Sequence, residues 1–136
     1  MTSPADSCVF CAIRRDPSSA TVVWSAPEAV VVMDVAPSAP GQLVVIPGPS
    51  PDSLAEATRL LPRCVAALAA AGFAREAVHA VTRWDLAEPD HPHPVLTVIP
   101  GPHGPRHNPL GAFVTRAQLE ADARLIVAAF AAAAGP

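Results

Sequence analysis

The residues of this sequence that could do chemistry form two groups that lie far apart in the chain. Cys8 and Cys11 form a C-x-x-C pair near the start, and His91 and His93 belong to the segment His-Pro-His-Pro that runs into Val95. Cysteine thiolates and histidine nitrogens are common zinc ligands, and C-x-x-C with a distant histidine fits that pattern. A histidine can also act as a nucleophile. The two groups predict a metal site, a reactive histidine, or both.

Composition narrows the classes of protein that this chain can represent. It has 136 residues, a net charge of −3 and 51% hydrophobic residues, which fits one domain over 1–136 with a real core. Every basic residue is an arginine and no basic stripe is visible, so nucleic-acid binding through phosphate neutralisation is not expected. No apolar run approaches the ~20 residues that a membrane span needs.

The chain start and the cysteine usage indicate a compartment. The first residues have neither a basic start nor an apolar stretch, so we expect no signal peptide and a soluble cytoplasmic protein. Three cysteines in such a protein do not suggest disulfides. Cys64 stands alone in an apolar helical stretch and is expected to be a small buried hydrophobe.

Hydrophobic patterning predicts the elements that position these groups. Helical spacing is expected over 54–72, ending at Gly72, with Pro62 either near the helix start or at a kink. A second helix begins with a capping box at Thr115 and Gln118. The order of hairpin, strand, helix, hairpin and helix predicts an α+β domain with an antiparallel sheet. The predicted strands are 21–25, 29–34, 42–47, 78–84 and 95–100.

Finer expectations concern the last helix. Its core face is predicted to comprise Leu119, Ala123, Ile126, Val127 and Phe130. The Gln118 side chain is expected to reach back to the helix start, as in a complete capping box. Glu120 and Arg124 are spaced for a favourable i,i+4 ion pair.

Four segments resemble, in order and spacing, those of the histidine-triad (HIT) family. They are Cys8–Ile13, Val32–Pro37, Pro40–Pro47 and Val98–Pro100, and together they cover roughly residues 8 to 101. The resemblance implies the HIT-like fold, a five-stranded antiparallel sheet with two main helices, and a homodimer. It also implies hydrolysis or transfer of nucleotidyl groups, in which the middle histidine of His-x-His-x-His attacks the α-phosphorus.

This sequence departs from the family pattern at its reactive positions. Anchored on the closing Val-Ile-Pro, the three triad positions are His93, Val95 and Thr97, so only the first histidine survives. Valine has no lone pair with which to attack phosphorus. Gln42 replaces a usual histidine, and His79 falls near a usual asparagine. We therefore expect a diverged HIT-like protein that lacks the family's nucleophile.

The sequence leaves a second alignment of the histidine motif open. His91-Pro92-His93 resembles the His-Pro-His of galactose-1-phosphate uridylyltransferase, a relative whose second histidine is the nucleophile. That register would make His93 catalytic in an active nucleotidyl hydrolase or transferase. It would, however, add two residues before Val98 and leave Pro94 inside the strand of the nucleophile.

In zinc-containing members of the family, the resemblance implies Cys8, Cys11 and His93 as metal ligands, with Ser50 at the fourth position. Serine is a poor zinc ligand, which leaves two arrangements open. Another residue could supply the fourth ligand and close the site, or the fourth position could stay open, in which case zinc could act as a Lewis acid. Absence of metal is the third possibility. The candidate substitutes are His91, Asp52 and His103, and the candidate proton carriers beside an open site are Asp90, Glu88 and Asp52.

The remaining expectation is a pocket for a small-molecule ligand, lined where the triad would face. Val95 and Thr97 alternate with their neighbours on the strand and point to one side of the sheet. The other candidate ligand-binding residues are His79, Trp84, His91 and Gln42, with Arg106 and His107 as candidate capping residues. For Trp84 and His79, packing is the commoner role. Such a pocket fits either an enzyme with rebuilt, zinc-assisted chemistry or a non-catalytic homodimeric binding protein.

Overall fold

Five strands form one antiparallel sheet in a computed structural model that describes residues 8–50, 52–84, 94–102 and 114–133. The strands are β1 (Val22–Ala26), β2 (Ala29–Met33), β3 (Leu43–Pro47), β4 (Val78–Arg83) and β5 (Val95–Pro100). They lie in the order β1-β2-β3-β5-β4, which places β1 and β4 at the two edges. The α+β class and the five-stranded antiparallel sheet predicted from the sequence are confirmed.

Four α-helices accompany the sheet in the described part of the chain. They are α1 (Val9–Arg15), α2 (Ser53–Arg59), α3 (Leu61–Ala70) and α4 (Arg116–Ala132). A 3₁₀ turn, Pro17–Ser19, joins α1 to the sheet. The short α1 was not predicted, because seven residues carry too little periodicity to be distinguished from a loop.

The two faces of the sheet bury different partners. One face packs against α2, α3 and α4 in a cluster that includes Val31, Val45, Val98 and Phe130. The opposite face packs against α1 through Phe10 and Ile13. The central strands β2 and β3 are buried at every position, which explains their unbroken runs of valine and isoleucine.

Pro62 divides the helical segment that the sequence predicted over 54–72. The helix α2 ends at Arg59 and Leu60 follows it, while α3 starts with proline within its first two positions, where the missing N–H costs nothing. Gly72 ends α3 with a φ of +88°, and Phe73 N–H donates to the Leu68 carbonyl at 2.9 Å. This Schellman-type ending agrees with the predicted stop.

The last helix confirms part of its prediction. The Gln118 N–H donates to the Thr115 hydroxyl at 3.2 Å, as a helix cap does, but the Gln118 side chain donates to Asp122 rather than reaching back. Glu120 pairs with Arg116 at 3.0 Å instead of with Arg124. Val127 is 39% exposed, so its assignment to the core face was wrong.

The two helices α3 and α4 are joined by one arginine. Arg63 Nε donates to the carbonyl oxygen of Phe130 at 2.9 Å, and its guanidinium lies 3.9 Å from the centre of the Phe130 ring. The same guanidinium lies 5.6 Å from the centre of the Trp24 ring. Arg63 therefore ties α3, α4 and β1 together. None of the helices in the described ranges has the length and apolarity needed to cross a bilayer.

Candidate functional site

A cavity of about 610 Å³ lies between α1 and the sheet, on the face opposite the large helices. Its walls are mostly apolar, and its volume falls in the range of small-molecule sites. Side chains of α1 form one wall, and the central strands with β5 form the other. The lining residues that matter below are Phe10, Ile13, Val32, Asp34, Val44, Arg83, Val95 and Thr97.

Strand register places Val95 and Thr97, the two residues expected to replace triad histidines, in this cavity. Thr97 pairs with Val44 of β3 and with Val81 of β4, while Val95 pairs with Arg83. Paired residues of neighbouring strands present their side chains on the same face of a sheet. The sequence-based expectation that Val95 and Thr97 face one pocket therefore agrees with the structure.

The α1 helix covers one side of the cavity. Its sequence begins with a helix cap and continues with apolar residues spaced to pack on the sheet. The Cys8 thiol accepts from the Cys11 N–H at 3.5 Å at the start of the helix. Phe10 and Ile13, three positions apart, share the face that packs on the sheet. This arrangement brings the C-x-x-C pair next to the cavity that Val95 and Thr97 line.

The thiols of Cys8 and Cys11 lie in the cap and the first turn of α1. Cys11 is 8% exposed, and burial together with a hydrogen bond to Cys8 raises the pKa of Cys11 to about 11. Two thiols this close could supply half of a tetrahedral zinc site. Within the described ranges, no group of three His, Cys, Asp or Glu side chains is close enough to hold a metal. His93, the expected third ligand, lies outside the described residues.

Ser50 and Asp52, which the sequence placed near the metal, lie at the start of α2. The Ser50 hydroxyl is 3.1 Å from the Ser53 hydroxyl, and the Ser50 N–H donates to the same oxygen at 3.2 Å. Ser50 therefore contributes to the turn that begins the helix. The other candidates for the fourth ligand or for proton transfer, His91, His103, Asp90 and Glu88, lie outside the described residues, as do Arg106 and His107.

Gln42 belongs to a hydrogen-bonded loop and not to the lining of the cavity. Its amide nitrogen donates to Asp34 Oδ2 at 2.8 Å, and its amide oxygen accepts from the Ser38 N–H at 2.9 Å. Asp34 Oδ1 accepts from the Ala36 N–H at 2.9 Å. Gly41 precedes Gln42 with a φ of +85°, and a Cβ there would lie 2.7 Å from the Phe73 ring. Asp34 and Gln42 thus hold the loop between β2 and β3.

Two further candidates lie on β4 or just beyond it. His79 pairs with Ile99, two rows along the sheet from Thr97, and its Nδ1 is buried without a hydrogen-bond partner in the described part of the chain. Trp84 follows β4 and is 51% exposed. The structure therefore brings Val95 and Thr97 together in the cavity and places His79 and Trp84 outside its lining.

Sequence reasoning missed two residues that line the cavity, Arg83 and Asp34. Arg83 shares a strand face with His79 and Val81, because the three alternate along β4. That period of two was visible in the sequence, but only the pairing of β4 with β5 shows that this face adjoins Val95. Asp34 was predicted as a strand end and lines the cavity from the end of β2.

Comparisons with known proteins detect similarity at the level of structure. No family model and no curated protein matches the sequence. A zinc-bound histidine triad family protein from Mycobacterium smegmatis is 23% identical over 94% of this chain and 96% of its own, with a TM-score of 0.71. A hypothetical histidine triad nucleotide-binding protein from Sulfolobus tokodaii is 17% identical over 92% of this chain and 93% of its own, with a TM-score of 0.72.

A third solved structure agrees with these two. A Hit-like protein involved in cell-cycle regulation from Bartonella henselae, solved with an unknown ligand, has a TM-score of 0.71. It is 21% identical over 89% of this chain and 94% of its own. Near-complete coverage on both sides means that the whole architecture is shared and not one motif. The chain has the fold of the histidine-triad proteins.

Proposed function

We propose that this chain is a diverged HIT-like protein that binds a small-molecule or nucleotide-like ligand in the cavity between α1 and the sheet. The single observation that carries the proposal is the presence of Val95 and Thr97 in the lining of that cavity. A valine at the position of the attacking histidine has no lone pair, so the phosphohistidine-type intermediate of the family cannot form there. The mainly apolar walls suit an organic ligand held by packing and a few polar groups.

The test is an assay for hydrolysis of a nucleoside phosphoramidate, paired with an assay for binding. We expect no turnover above the uncatalysed rate in either the natural protein or its His93→Ala variant. Small organic ligands should raise the melting temperature of the natural protein, and Thr97→Phe, which fills the cavity, should abolish that shift. Efficient hydrolysis that is lost in His93→Ala would contradict the proposal and favour the His-Pro-His register.

We also propose that Cys8, Cys11 and His93 hold zinc. The supports are two neighbouring thiols at the start of α1 and a zinc-bound protein of the same fold. Zinc with an open coordination position would supply Lewis-acid chemistry to a ligand in the adjacent cavity. The Cys8 thiol caps the start of α1, so metal binding there would also stabilise this helix, which covers the cavity.

Elemental analysis of freshly purified protein tests the metal site. We expect about one zinc per chain, since three protein ligands define a single site. Cys8→Ala should lose the metal and lower the melting temperature, because the metal binds the folded state only. Cys64→Ala is the matched control and should keep the metal, because Cys64 lies in the core cluster on the opposite face of the sheet. Much less than one zinc in the natural protein would contradict the proposal.

Two versions of this function differ in whether the ligand is turned over. A rebuilt enzyme that uses the metal would lose activity both on chelation and in Cys8→Ala, with the fold retained by circular dichroism. A non-catalytic binding protein would retain its ligand unchanged. For the second version we propose a homodimer that joins through the edge strand β4, because Val81 and Trp84 expose 38% and 51% of their surface there.

A further inference from the structure

We infer that Arg83 is the anion-binding residue of the cavity and that the cavity takes an amphiphilic carboxylate, a molecule with an apolar body and one terminal carboxylate group. This inference rests on the proposed function, since it names the class of ligand for the same cavity. It assigns to this site a specificity residue that lies outside the three triad positions.

The register of the sheet fixes the position of Arg83. It is the last residue of β4 and pairs directly with Val95 of β5. Its side chain is therefore on the cavity face, beside the position where the family's nucleophile would stand. Arg83 is exposed, so its guanidinium lies at the rim, where a ligand's terminal group would leave the apolar interior.

No carboxylate of the described residues neutralises this guanidinium. The ion pairs found there join Arg59 with Glu56 and Arg116 with Glu120, both away from the cavity. Asp34 also lines the cavity, but its two oxygens already accept from Gln42 and from the Ala36 N–H. Asp34 follows β2, which lies three strand spacings from β4, or about 14 Å. The two charges therefore mark opposite ends of the cavity.

The walls between these ends determine the rest of the ligand. Phe10, Ile13, Val32, Val44 and Val95 present only hydrocarbon, and Thr97 adds one hydroxyl. A planar guanidinium matches one carboxylate with two parallel hydrogen bonds. A nucleotide phosphate carries more charge and needs several donors, whereas Arg83 is the one cation in the described lining. An apolar monocarboxylate matches both the cation at the rim and the hydrocarbon walls.

Binding of three ligands with the same chain length tests the inference: octanoate, octanol and octylamine, with AMP as a nucleotide probe. Calorimetry should show that octanoate binds the natural protein about tenfold more tightly than octanol, as one charge-assisted pair at a rim provides. Octylamine and AMP should bind more weakly than octanoate. Arg83→Gln should remove the preference for octanoate and leave octanol binding unchanged. Arg75→Gln, an exposed arginine outside the cavity, is the matched control and should keep the preference.

The outcomes separate the two proposals. Loss of octanol binding in Thr97→Phe would show that octanol binds in the cavity. If octanol binds there but octanoate binds the natural protein and Arg83→Gln equally well, the carboxylate inference is overturned and the ligand-binding function stands. Tighter binding of AMP than of octanoate would equally overturn the carboxylate assignment. If none of the probes binds, both the inference and the proposed function are overturned.

Discussion

Cys64 shows how one residue's surroundings give it a role that its type alone leaves open. It is fully buried in the main core cluster, and burial raises the pKa of its thiol to about 12. A thiol that is enclosed in the core and stays protonated there acts as a small apolar packing group. The sequence-based prediction that Cys64 is a small buried hydrophobe agrees with this environment.

This burial predicts a loss of stability at alkaline pH. The unfolded thiol ionises near its ordinary pKa while the folded one does not, so its stabilising contribution is complete below about pH 9 and falls as pH rises toward 12. The slope approaches about 1.4 kcal/mol per pH unit for one such thiol. The chain has no lysine and no tyrosine, so few other side chains titrate in this range. Urea unfolding under reducing conditions at pH 8 to 11 should show the decline.

The control for this prediction is Cys64→Ala. Its free energy of unfolding should fall less steeply with pH than that of the natural protein, whatever its stability at pH 8. Equal slopes in the two proteins would show that the Cys64 thiol ionises in the folded state.

At the scale of elements, α4 depends on contacts that the hydrophobic periodicity of its sequence does not predict. Its long apolar face packs on the sheet, while its C-terminal half is held by Arg63 of α3 through the Phe130 carbonyl and ring. Arginine suits this position because its planar group can donate a hydrogen bond and stack on an aromatic ring at once. The contact joins residues 67 positions apart in the sequence.

Replacing Arg63 should therefore loosen α4. We expect Arg63→Ala to lower the free energy of unfolding by about 1–3 kcal/mol, the sum of a hydrogen bond and a cation–π contact. Arg63→Lys should recover only part of the free energy of unfolding that Arg63→Ala loses, since an ammonium group lacks the planar geometry. The control is Arg59→Ala, which removes an exposed ion pair with Glu56 and should cost less than about 1 kcal/mol. Urea unfolding measures all three, and equal losses at both arginines would contradict the prediction.

At the scale of the whole molecule, the sheet has two edges that differ in their surroundings. Beside β1, Arg116 of α4 donates to the Ala20 carbonyl at 3.2 Å just before the strand begins. Beside β4, Val81 is exposed on the strand and Trp84 follows it. An edge strand with exposed apolar residues is a common site of pairing between chains.

The proposed homodimer predicts that a charge on β4 disrupts assembly. Val81→Arg should shift the protein from dimer to monomer in sedimentation velocity, because the charge would be desolvated in the interface. Leu125→Arg is the control, since Leu125 is 56% exposed on α4 and should leave the dimer intact. If the natural protein sediments as a monomer at roughly tens of micromolar protein, the homodimer proposal is wrong.

Local sequence signals determined most of the elements of this protein. Strand β5 begins and ends where alternation and the closing proline predicted, and the cap at Thr115 and the stop at Gly72 are both present. These features depend on residues within one or two turns of each other, so the chain encodes them directly. The absence of histidine at positions 95 and 97 is likewise a property of the sequence alone.

Only the tertiary structure decided what surrounds those positions. The cavity exists because α1 packs over β5 and the central strands, and Arg83 borders it because β4 pairs with β5 in one register. Gln42 is a candidate ligand-binding residue by its place in the sequence, and only the structure shows that its side chain donates to Asp34. Contacts between distant segments depend on how whole elements pack, and local propensity carries little information about them.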